Sequence, residues 1–322
     1  MARERQENSR VNEAPATEVA ELTRENDVSA GTTIWPRITL VTAVLNSAKY
    51  IEQTIRSVIY QRYPNLEYII VDGGSIDGTV EIIKRYEEHL AWWTSERDNG
   101  HFDALNKGFA RSSGEIMGWI NGSDQLHVGA LFSVGNVFRT LSQVEWITGL
   151  PTWFDEQGTL VKVGPLPRWS RLRYLAGANR YIQQESTFWR RSLWERAGGY
   201  VDASRKIGSD FELWVRFFRC ARLFPVNTLI GGYRSHPDAA SSRQLDEIHR
   251  LNDEAIEAEL ATMRAGCLLK AFRRWSARAQ RTRKVRVLWW HLATRPLYFL
   301  AGPDWPPVIQ YDMNAKRWTI TG

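Results

Sequence analysis

An apolar stretch, Glu115 to Ile120, runs into the polar turn Asn121-Gly122-Ser123-Asp124, and the turn ends on a single carboxylate. A strand that finishes this way places a hard oxygen ligand at the carboxyl edge of a sheet, where open α/β sheets bind their ligands. The plainer reading makes Asp124 the N-cap of a helix beginning near His127. Asp72 stands at the head of the loop Asp72 to Thr79 and reads either as a ligand contact or as an Asx-turn former ahead of Gly73-Gly74. Asp210 follows Gly208-Ser209 at the start of an amphipathic segment, so it is either a reactive carboxylate or a first-turn acid that favours the helix dipole. Asp77 and Thr79 read as turn and cap residues.

The elements that must position these groups are legible as apolar runs. Ile38 to Leu45 is an unbroken β-branched run of buried-strand type. Asn46-Ser47 follows, then an amphipathic helix from Tyr50 to Gln61 with Ile51, Ile55, Val58 and Ile59 at helical spacing. Leu66 to Val71 is the second strand, and a helix from Val80 to Glu88 leads to a short strand at Ala91 to Thr94. A loop at Asn99-Gly100 opens the helix Ala104 to Arg111, and the strand ending at Asp124 comes next. Alternation of this kind predicts βαβ units and a mostly parallel sheet. Right-handed crossovers then bring the loops at Thr42/Asn46, Asp72/Asp77, Asn99 to Asp103 and Asn121 to Asp124 to one sheet edge. Beyond, a helix near Ala130 to Thr140 and strands at Val144 to Gly149 and Leu160 to Gly164 are expected, with a helix from Asp210 to Phe217.

At 322 residues and 37.1 kDa the chain can bury a large core. Two distant cysteines, Cys220 and Cys267, give neither a disulfide framework nor a metal pattern and suit a reducing compartment. No apolar run is long enough for a transmembrane helix, and the first residues lack the apolar core of a secretory signal. The net charge of +6 is concentrated: Arg264 to Arg295 hold ten basic residues and no acidic one, which leaves the remainder mildly acidic.

In order, the segments TLVTAVLN, IIVDGGSIDGT, SERDNGHFDALNKG, GEIMGWINGSDQ, IQQESTFWRR, the Gly198-Gly199-Tyr200 turn, SDFELWVRF and GGYRSH resemble the family 2 inverting nucleotide-sugar glycosyltransferases. The resemblance spans residues 36 to 240 and implies a GT-A-like, Rossmann-type mixed α/β fold with a mostly parallel sheet flanked by helices. It implies that Thr42, Ala43 and Asn46 line a nucleotide pocket with Asp72, Gly100, Asp103 and Asn106, although Asp103 also reads as a first-turn acid. It places Asp124 at the last carboxylate of the family's metal motif and Asp210 at the general base. Asn121, Gly122, Ser123, Glu185, Trp189 and Arg234 fall on the donor-sugar and acceptor side. His236 reads either as a third metal ligand or as a structural loop histidine. The sequence departs from the pattern where neutral Asn121, Gly122 and Ser123 leave Asp124 as the turn's only carboxylate, and where Gln184-Glu185 replaces the commoner His-Gln.

Transfer from a nucleotide-sugar needs charge at the leaving diphosphate, a base at the acceptor hydroxyl and a pocket that fixes the nucleotide. A divalent cation (Mn²⁺ or Mg²⁺) at Asp124, Asp210, and the loops around Thr42 and Asp72 are the expected suppliers. Trp92, Trp93, Trp119, Trp146 and Trp214 are expected in the core; Trp189, beside the acceptor segment, is expected to face sugar.

The chain is thus expected to comprise a flexible leader (1–33), a GT-A domain (34–245) and a C-terminal basic amphipathic helical extension (246–322). Within the extension, 264–300 interleaves Trp and Leu with arginine. That pattern reads as a peripheral membrane contact, ahead of a helix pair covering the domain or a nucleic-acid surface, for which no known module is present. The expected partners are a nucleotide-diphospho-sugar, most simply a UDP-sugar, and a saccharide or lipid-linked acceptor of envelope or exopolysaccharide synthesis, with no nucleic acid. The expected location is the cytoplasm, including the inner face of the plasma membrane. The rival expectation is a non-catalytic nucleotide-sugar-binding or membrane-surface scaffold protein.

Overall fold

The structure, a computed structural model, describes residues 34–176, 181–237, 244–263, 266, 267, 269–271, 273 and 307–321. In chain order the elements are β1 (Ile38–Val44), α1 (Ile51–Ile59), β2 (Leu66–Asp72), α2 (Thr79–Arg85), β3 (Trp92–Ser95), α3 (His101–Ala110), β4 (Ile116–Trp119), β5 (Gln125–Leu126) and α4 (Ala130–Thr140). They continue with β6 (Trp146–Thr148), β7 (Thr152–Phe154), β8 (Leu160–Val163), α5 (Arg171–Leu175), β9 (Thr187–Arg190) and α6 (Arg191–Arg196). The series ends with α7 (Ser209–Cys220), β10 (Phe224–Pro225), β11 (Gly231–Arg234), α8 (Leu245–Thr262), β12 (Val308–Asp312) and β13 (Arg317–Thr321).

A seven-stranded sheet in the order β10-β6-β9-β4-β1-β2-β3 forms the middle layer. β4, β1, β2 and β3 run parallel, with Val44 opposite Asp72 and Asp72 opposite Ser95, so their carboxyl ends share one edge. β9 is inserted antiparallel between β4 and β6, which makes the sheet mixed. Strand residues alternate between two cores. Val41, Ala43, Trp119, Trp146 and Trp189 face α3, α6, α7 and α8, whereas Ile38, Leu40, Ile70 and Ile120 face α1, α2 and α4. Because both faces are covered, β1 is buried along its whole length, which is why it reads as a continuous apolar run rather than an alternating one.

Several elements follow from local chemistry. α1 buries Ile51, Thr54, Ile55 and Val58 on one face. α7 begins after Gly208 at φ 74, a left-handed position that suits glycine. A second, four-stranded sheet, β5-β11-β7-β8, packs beside the main one and was not anticipated. The expected helix from Val80 to Glu88 ends at Arg85 and passes into a 3₁₀ turn at Glu87–His89.

Of the helical extension expected over 246–322, the described residues hold a helix at the start and a β-hairpin at the end. α8 packs into the core of the main body through Ala255, Ile256 and Leu260, and its buried Glu259 pairs with Arg171 of α5 (2.6 Å) and with Arg219 of α7. Residues 308–321 form the β12–β13 hairpin, whose Ile309 bridges Val226 beside β10 and whose Trp318 is buried with the α1/α4 core. The alternation of Ile309, Tyr311, Trp318 and Ile320 has a period of two, which a helical reading overlooks. Most of the basic stretch 264–300 lies outside the described residues; of its described cations, Lys270 pairs with Glu257 (3.2 Å) and Arg273 with Asp253 (2.6 Å), both acids of α8. The leader, 1–33, lies outside them too. Among the described residues no helix is long and apolar enough to cross a membrane.

At the amino edge of the sheet, Glu67 of β2 is 6% exposed and joins three segments. It accepts from the Ser113 amide (2.7 Å), the Ser113 hydroxyl (2.7 Å), the Gly114 amide (3.2 Å) and the Thr39 hydroxyl, with Arg37 at 3.4 Å. Burial pushes its carboxyl up, but these donors and Arg37 outweigh it and hold the group below the usual glutamate range. A carboxylate lowered on folding stabilises the fold fully above its unfolded pKa, and that contribution is lost as pH falls through the folded one. Glu67→Gln should therefore cost about 1–3 kcal/mol at pH 7 in urea denaturation. The gap to the unsubstituted protein should close as the pH is lowered below about 4.

Candidate active site

The loops after β1, β2 and β4 are laced together at the carboxyl edge. The Asn46 amide donates to the Ser75 hydroxyl (2.7 Å), and Asn46 Oδ1 accepts from the Ile76 amide (3.0 Å). The Ala48 amide donates to Asp77 (2.9 Å), and the Ser47 hydroxyl donates to the Gly122 carbonyl (3.2 Å). Asn46 itself is exposed and adopts φ 48, a turn that an asparagine tolerates.

The residues expected at the nucleotide separate into surface and scaffold. Asn46 and Gly100 are exposed at the edge, and Asp103 is part-buried, where its carboxylate accepts from the Asn99 amide (3.0 Å). Thr42 is fully buried and its hydroxyl meets the Tyr68 hydroxyl (3.1 Å); Ala43 is in the core behind it. Asp72 is fully buried, and its oxygens accept from the amides of Gly74 (3.0 Å) and Ser75 (2.9 Å) and from the hydroxyls of Ser95 (2.6 Å) and Ser75. The turn-forming role is therefore the one seen for Asp72: it shapes the loop from inside. Asn106 pairs both amide atoms with the Val201 backbone (2.7 and 2.8 Å) and so ties α3 to the loop before α7.

Asp124 is fully buried. Oδ1 accepts from the Arg234 amide (2.9 Å), Oδ2 from the Asn121 side-chain amide (3.0 Å) and that of Gln184 (3.4 Å), and its carbonyl accepts from the Thr54 hydroxyl (2.7 Å). It is not the cap of the following helix, whose N-cap is Gly129. Burial outweighs these donors and the Arg234 charge, and pushes the carboxyl up to about 7.

Arg234, expected beside the sugar, instead turns inward. Its side chain is fully buried and donates to the Ser123 carbonyl (2.6 Å), the Glu156 carbonyl (3.0 Å) and Gln53 Oε1 (2.8 Å), with its guanidinium over the Tyr50 ring at 5.3 Å. Each of its three nitrogens is used within the protein, so Arg234 braces the turn that carries Asp124. His236 follows on the same segment and packs its ring against Tyr50 with centroids 4.7 Å apart. Trp189, expected to face sugar, is also corrected: it is fully buried in β9, edge-on to Trp119 at 5.4 Å and to Trp214 at 5.8 Å. Both faces of β9 are covered, with Phe188 in one core and Trp189 in the other.

Glu185 lies in the 3₁₀ turn Gln184–Ser186 and is 3% exposed. The turn is pressed against β11 so closely that a Cβ on Gly231 would lie 2.0 Å from the Glu185 carbonyl oxygen, which explains a glycine there. Burial, then the charges of Asp124 and Asp210, push its carboxyl well above the glutamate range. Asp210, in the first turn of α7 and part-exposed, is raised by burial, with the amides of Phe211 and Asp210 itself opposing. The turn before β9 thus places Glu185 within electrostatic reach of both Asp124, after β4, and Asp210, at the start of α7. Such a cluster can hold a proton at neutral pH and accept one from a bound hydroxyl. Gln184, a near neighbour of Asp124, carries no spacing signal in the sequence; Thr54 could have been suspected as the polar residue on the buried face of α1.

Among the described residues no three His, Cys, Asp or Glu side chains are grouped as a metal cage. Beside Asp124, however, Asn121 Oδ1 and Gln184 Oε1 are buried with no hydrogen-bond partner. One carboxylate with neutral oxygens fits a hard divalent cation that takes its remaining ligands from phosphate and water, and does not fit a cage made by protein alone.

The profile of glycosyl transferase family 2 matches residues 39–139. An uncharacterized glycosyltransferase of Mycobacterium tuberculosis is 30% identical over 235 residues, covering 67% of this chain and 85% of the relative. TuaG of Bacillus subtilis, whose name assigns it provisionally to teichuronic acid biosynthesis, is 34% identical over 95 residues, 28% of this chain and 37% of its own. Among solved structures, residues 1–349 of Staphylococcus aureus TarS in complex with UDP-GlcNAc superpose with a TM-score of 0.56 at 16% identity, covering 71% of this chain and 67% of that one. The chain spans 40% of the longer TarS structure. A mannosyltransferase of Pyrobaculum calidifontis in complex with GDP-Man and Mn²⁺ gives 0.50 at 19% identity, covering 85% and 88%.

A carboxylate whose pKa is raised on folding binds its proton more tightly in the native state, so stability falls as pH rises from its unfolded value to about 7. Asp124→Asn should accordingly stabilise the metal-free, nucleotide-free protein by about 1–3 kcal/mol at pH 8. Below about pH 4, where the carboxyl is neutral in the folded and the unfolded chain alike, the two proteins should melt together. Thermal denaturation at the two pH values checks both statements.

Proposed function

The chain belongs to glycosyl transferase family 2, and from that premise we propose that it transfers a sugar, with inversion, from a UDP-sugar to a hydroxyl of a saccharide or lipid-linked acceptor in envelope polymer synthesis. The observation that carries this reading is that Glu185, buried in the turn before β9, lies within electrostatic reach of both Asp124 and Asp210. The complexes of the TarS and Pyrobaculum proteins with UDP-GlcNAc and GDP-Man support a nucleotide-sugar donor. The name of TuaG supports an envelope acceptor.

In this reading the exposed loops at Asn46 and Gly100 receive the nucleotide, and Asp72 keeps its loop in shape from beneath. Asn121 and Gln184 present neutral oxygens beside Asp124. A hard cation, Mn²⁺ or Mg²⁺, shared between Asp124 and the donor diphosphate would supply positive charge to the leaving group. Asp210 takes the proton of the acceptor hydroxyl, whose oxygen bonds to the anomeric carbon on the face opposite the diphosphate. The bond from that carbon to the diphosphate oxygen breaks as the new one forms, and the nucleoside diphosphate leaves with the electron pair. A base raised by burial but still partly exposed suits this task near neutral pH. The cytoplasmic side of the membrane is the location that fits such a donor, and the basic, Trp-rich composition of 264–300 suits anionic lipid there.

Two measurements test the reading. In thermal denaturation with UDP, UDP-GlcNAc, UDP-glucose and GDP-mannose, each with and without Mn²⁺, one nucleotide at about a hundred times its Kd should stabilise the fold by about 2.7 kcal/mol, and only with the metal. A flat response across the panel would remove the nucleotide-sugar assignment. Asp210→Asn should bind the same nucleotide unchanged and lose turnover by about a hundredfold or more; full turnover in that variant would sink its role as base.

A further inference from the structure

Tyr174 lies in α5 with its side chain fully buried. Its ring is stacked on Phe211, with centroids 4.5 Å apart and planes at 20°, and is enclosed by Phe218 at 5.0 Å and Trp169 at 6.1 Å. The hydroxyl has no hydrogen-bond partner. A buried O–H left unmade costs stability, and phenylalanine would fill the same aromatic nest without that cost. An unexplained polar group of this kind calls for a partner that arrives at another stage of the protein's work.

The neighbouring charge says which partner. Phe211, on which the ring is stacked, directly follows Asp210 in the chain, and the Asp210 charge acts on the hydroxyl. Burial and that charge hold the Tyr174 hydroxyl far above the ordinary tyrosine range, so it is a donor at every pH at which the protein works. Among the described residues no side chain donates to Asp210. It is supported by the amides of Phe211 and of Asp210 itself, and it acts on Glu185 of the turn before β9. On α8, which packs against α7, the buried Glu259 is neutralised by Arg171 and Arg219 and offers no free charge.

We infer that Tyr174 is a positioning residue for Asp210, its O–H meeting one carboxylate oxygen when Asp210 is ionised, so that the other oxygen is left to take the proton of an acceptor. The inference rests on Asp210 being the base. It assigns α5 a part in the site although α5 supplies nothing to the sheet edge. Tyr174 acts through Asp210 from inside the core, without touching substrate.

The test compares the full chain with Tyr174→Phe and Asp210→Asn. In ¹³C NMR of aspartate-labelled protein, Asp210→Asn identifies the Asp210 carboxyl signal by its disappearance. A donor to the ionised form lowers a carboxyl pKa, so Tyr174→Phe should move the Asp210 titration up by about one pH unit. An unmoved midpoint overturns the inference. In the release of nucleoside diphosphate from UDP-GlcNAc, UDP-glucose or GDP-mannose with Mn²⁺, Tyr174→Phe should lower kcat about tenfold near neutral pH and leave KM within about twofold. The melting temperature should hold or rise. Loss of activity that merely follows a lowered melting temperature would make Tyr174 a packing residue and likewise overturn it. If Asp210→Asn releases nucleotide as fast as the unsubstituted protein, the base assignment fails by itself, and the NMR titration still decides whether the Tyr174 hydroxyl bonds to Asp210.

Discussion

A negative charge that the fold has taken out of water is the constraint to which the rest of this protein answers. Asp124 sits in a turn with no other carboxylate, behind a strand whose two faces are covered, and it receives its hydrogen bonds from four separate parts of the chain. Isolated, such a charge would be prohibitive; hydrogen-bonded but unpaired, it survives by drawing a proton near neutrality. The second sheet exists in large part to serve it. β11 brings the Arg234 amide to one carboxylate oxygen, while the Arg234 guanidinium clamps Ser123, Glu156 and Gln53 around the turn. The same strand presses on the turn of Glu185 through Gly231. β11 thereby touches the turns of two buried carboxylates, and Glu185 feels the charge of Asp210 on α7.

Much of this was legible in the residues. β1 to β4, their helices and the shared edge follow from unbroken apolar runs and the turn residues between them, because strands covered on both faces carry that signature. Asp124 and Asp210 could be singled out because each stands at the junction of an apolar segment and a polar turn. The smaller sheet was not legible. β5 has two residues and β11 four, too few for any period to emerge, and they pair across a separation of more than a hundred residues.

The misreadings share one cause, which is that residue type does not disclose orientation. Trp189 and Arg234 belong to chemically suggestive classes, yet one completes an indole cluster with Trp119 and Trp214 and the other is a brace. Thr42 and Asp72 have polar side chains that the fold uses internally, on Tyr68 and on the loop's own amides. Tyr174 gave no signal at all, because an unsatisfied hydroxyl is a property of its surroundings. The carboxyl edge of the sheet thus exposes fewer of the expected side chains than the motifs imply.

The hairpin of β12 and β13 has a bearing on how the molecule comes into being. Through Ile309 it covers the open side of β10, the outermost strand of the large sheet, and Trp318 seals the core beneath. On a ribosome, every other strand of that sheet emerges well before the residues that close its margin. During that interval the margin presents unpaired amides and carbonyls beside uncovered apolar surface, a template on which another nascent chain can add. A chain cut short within the basic stretch would keep Asp124, Glu185 and Asp210 and still present that margin for self-association, so the hairpin guards the solubility of carboxylates with which its described residues share no contact.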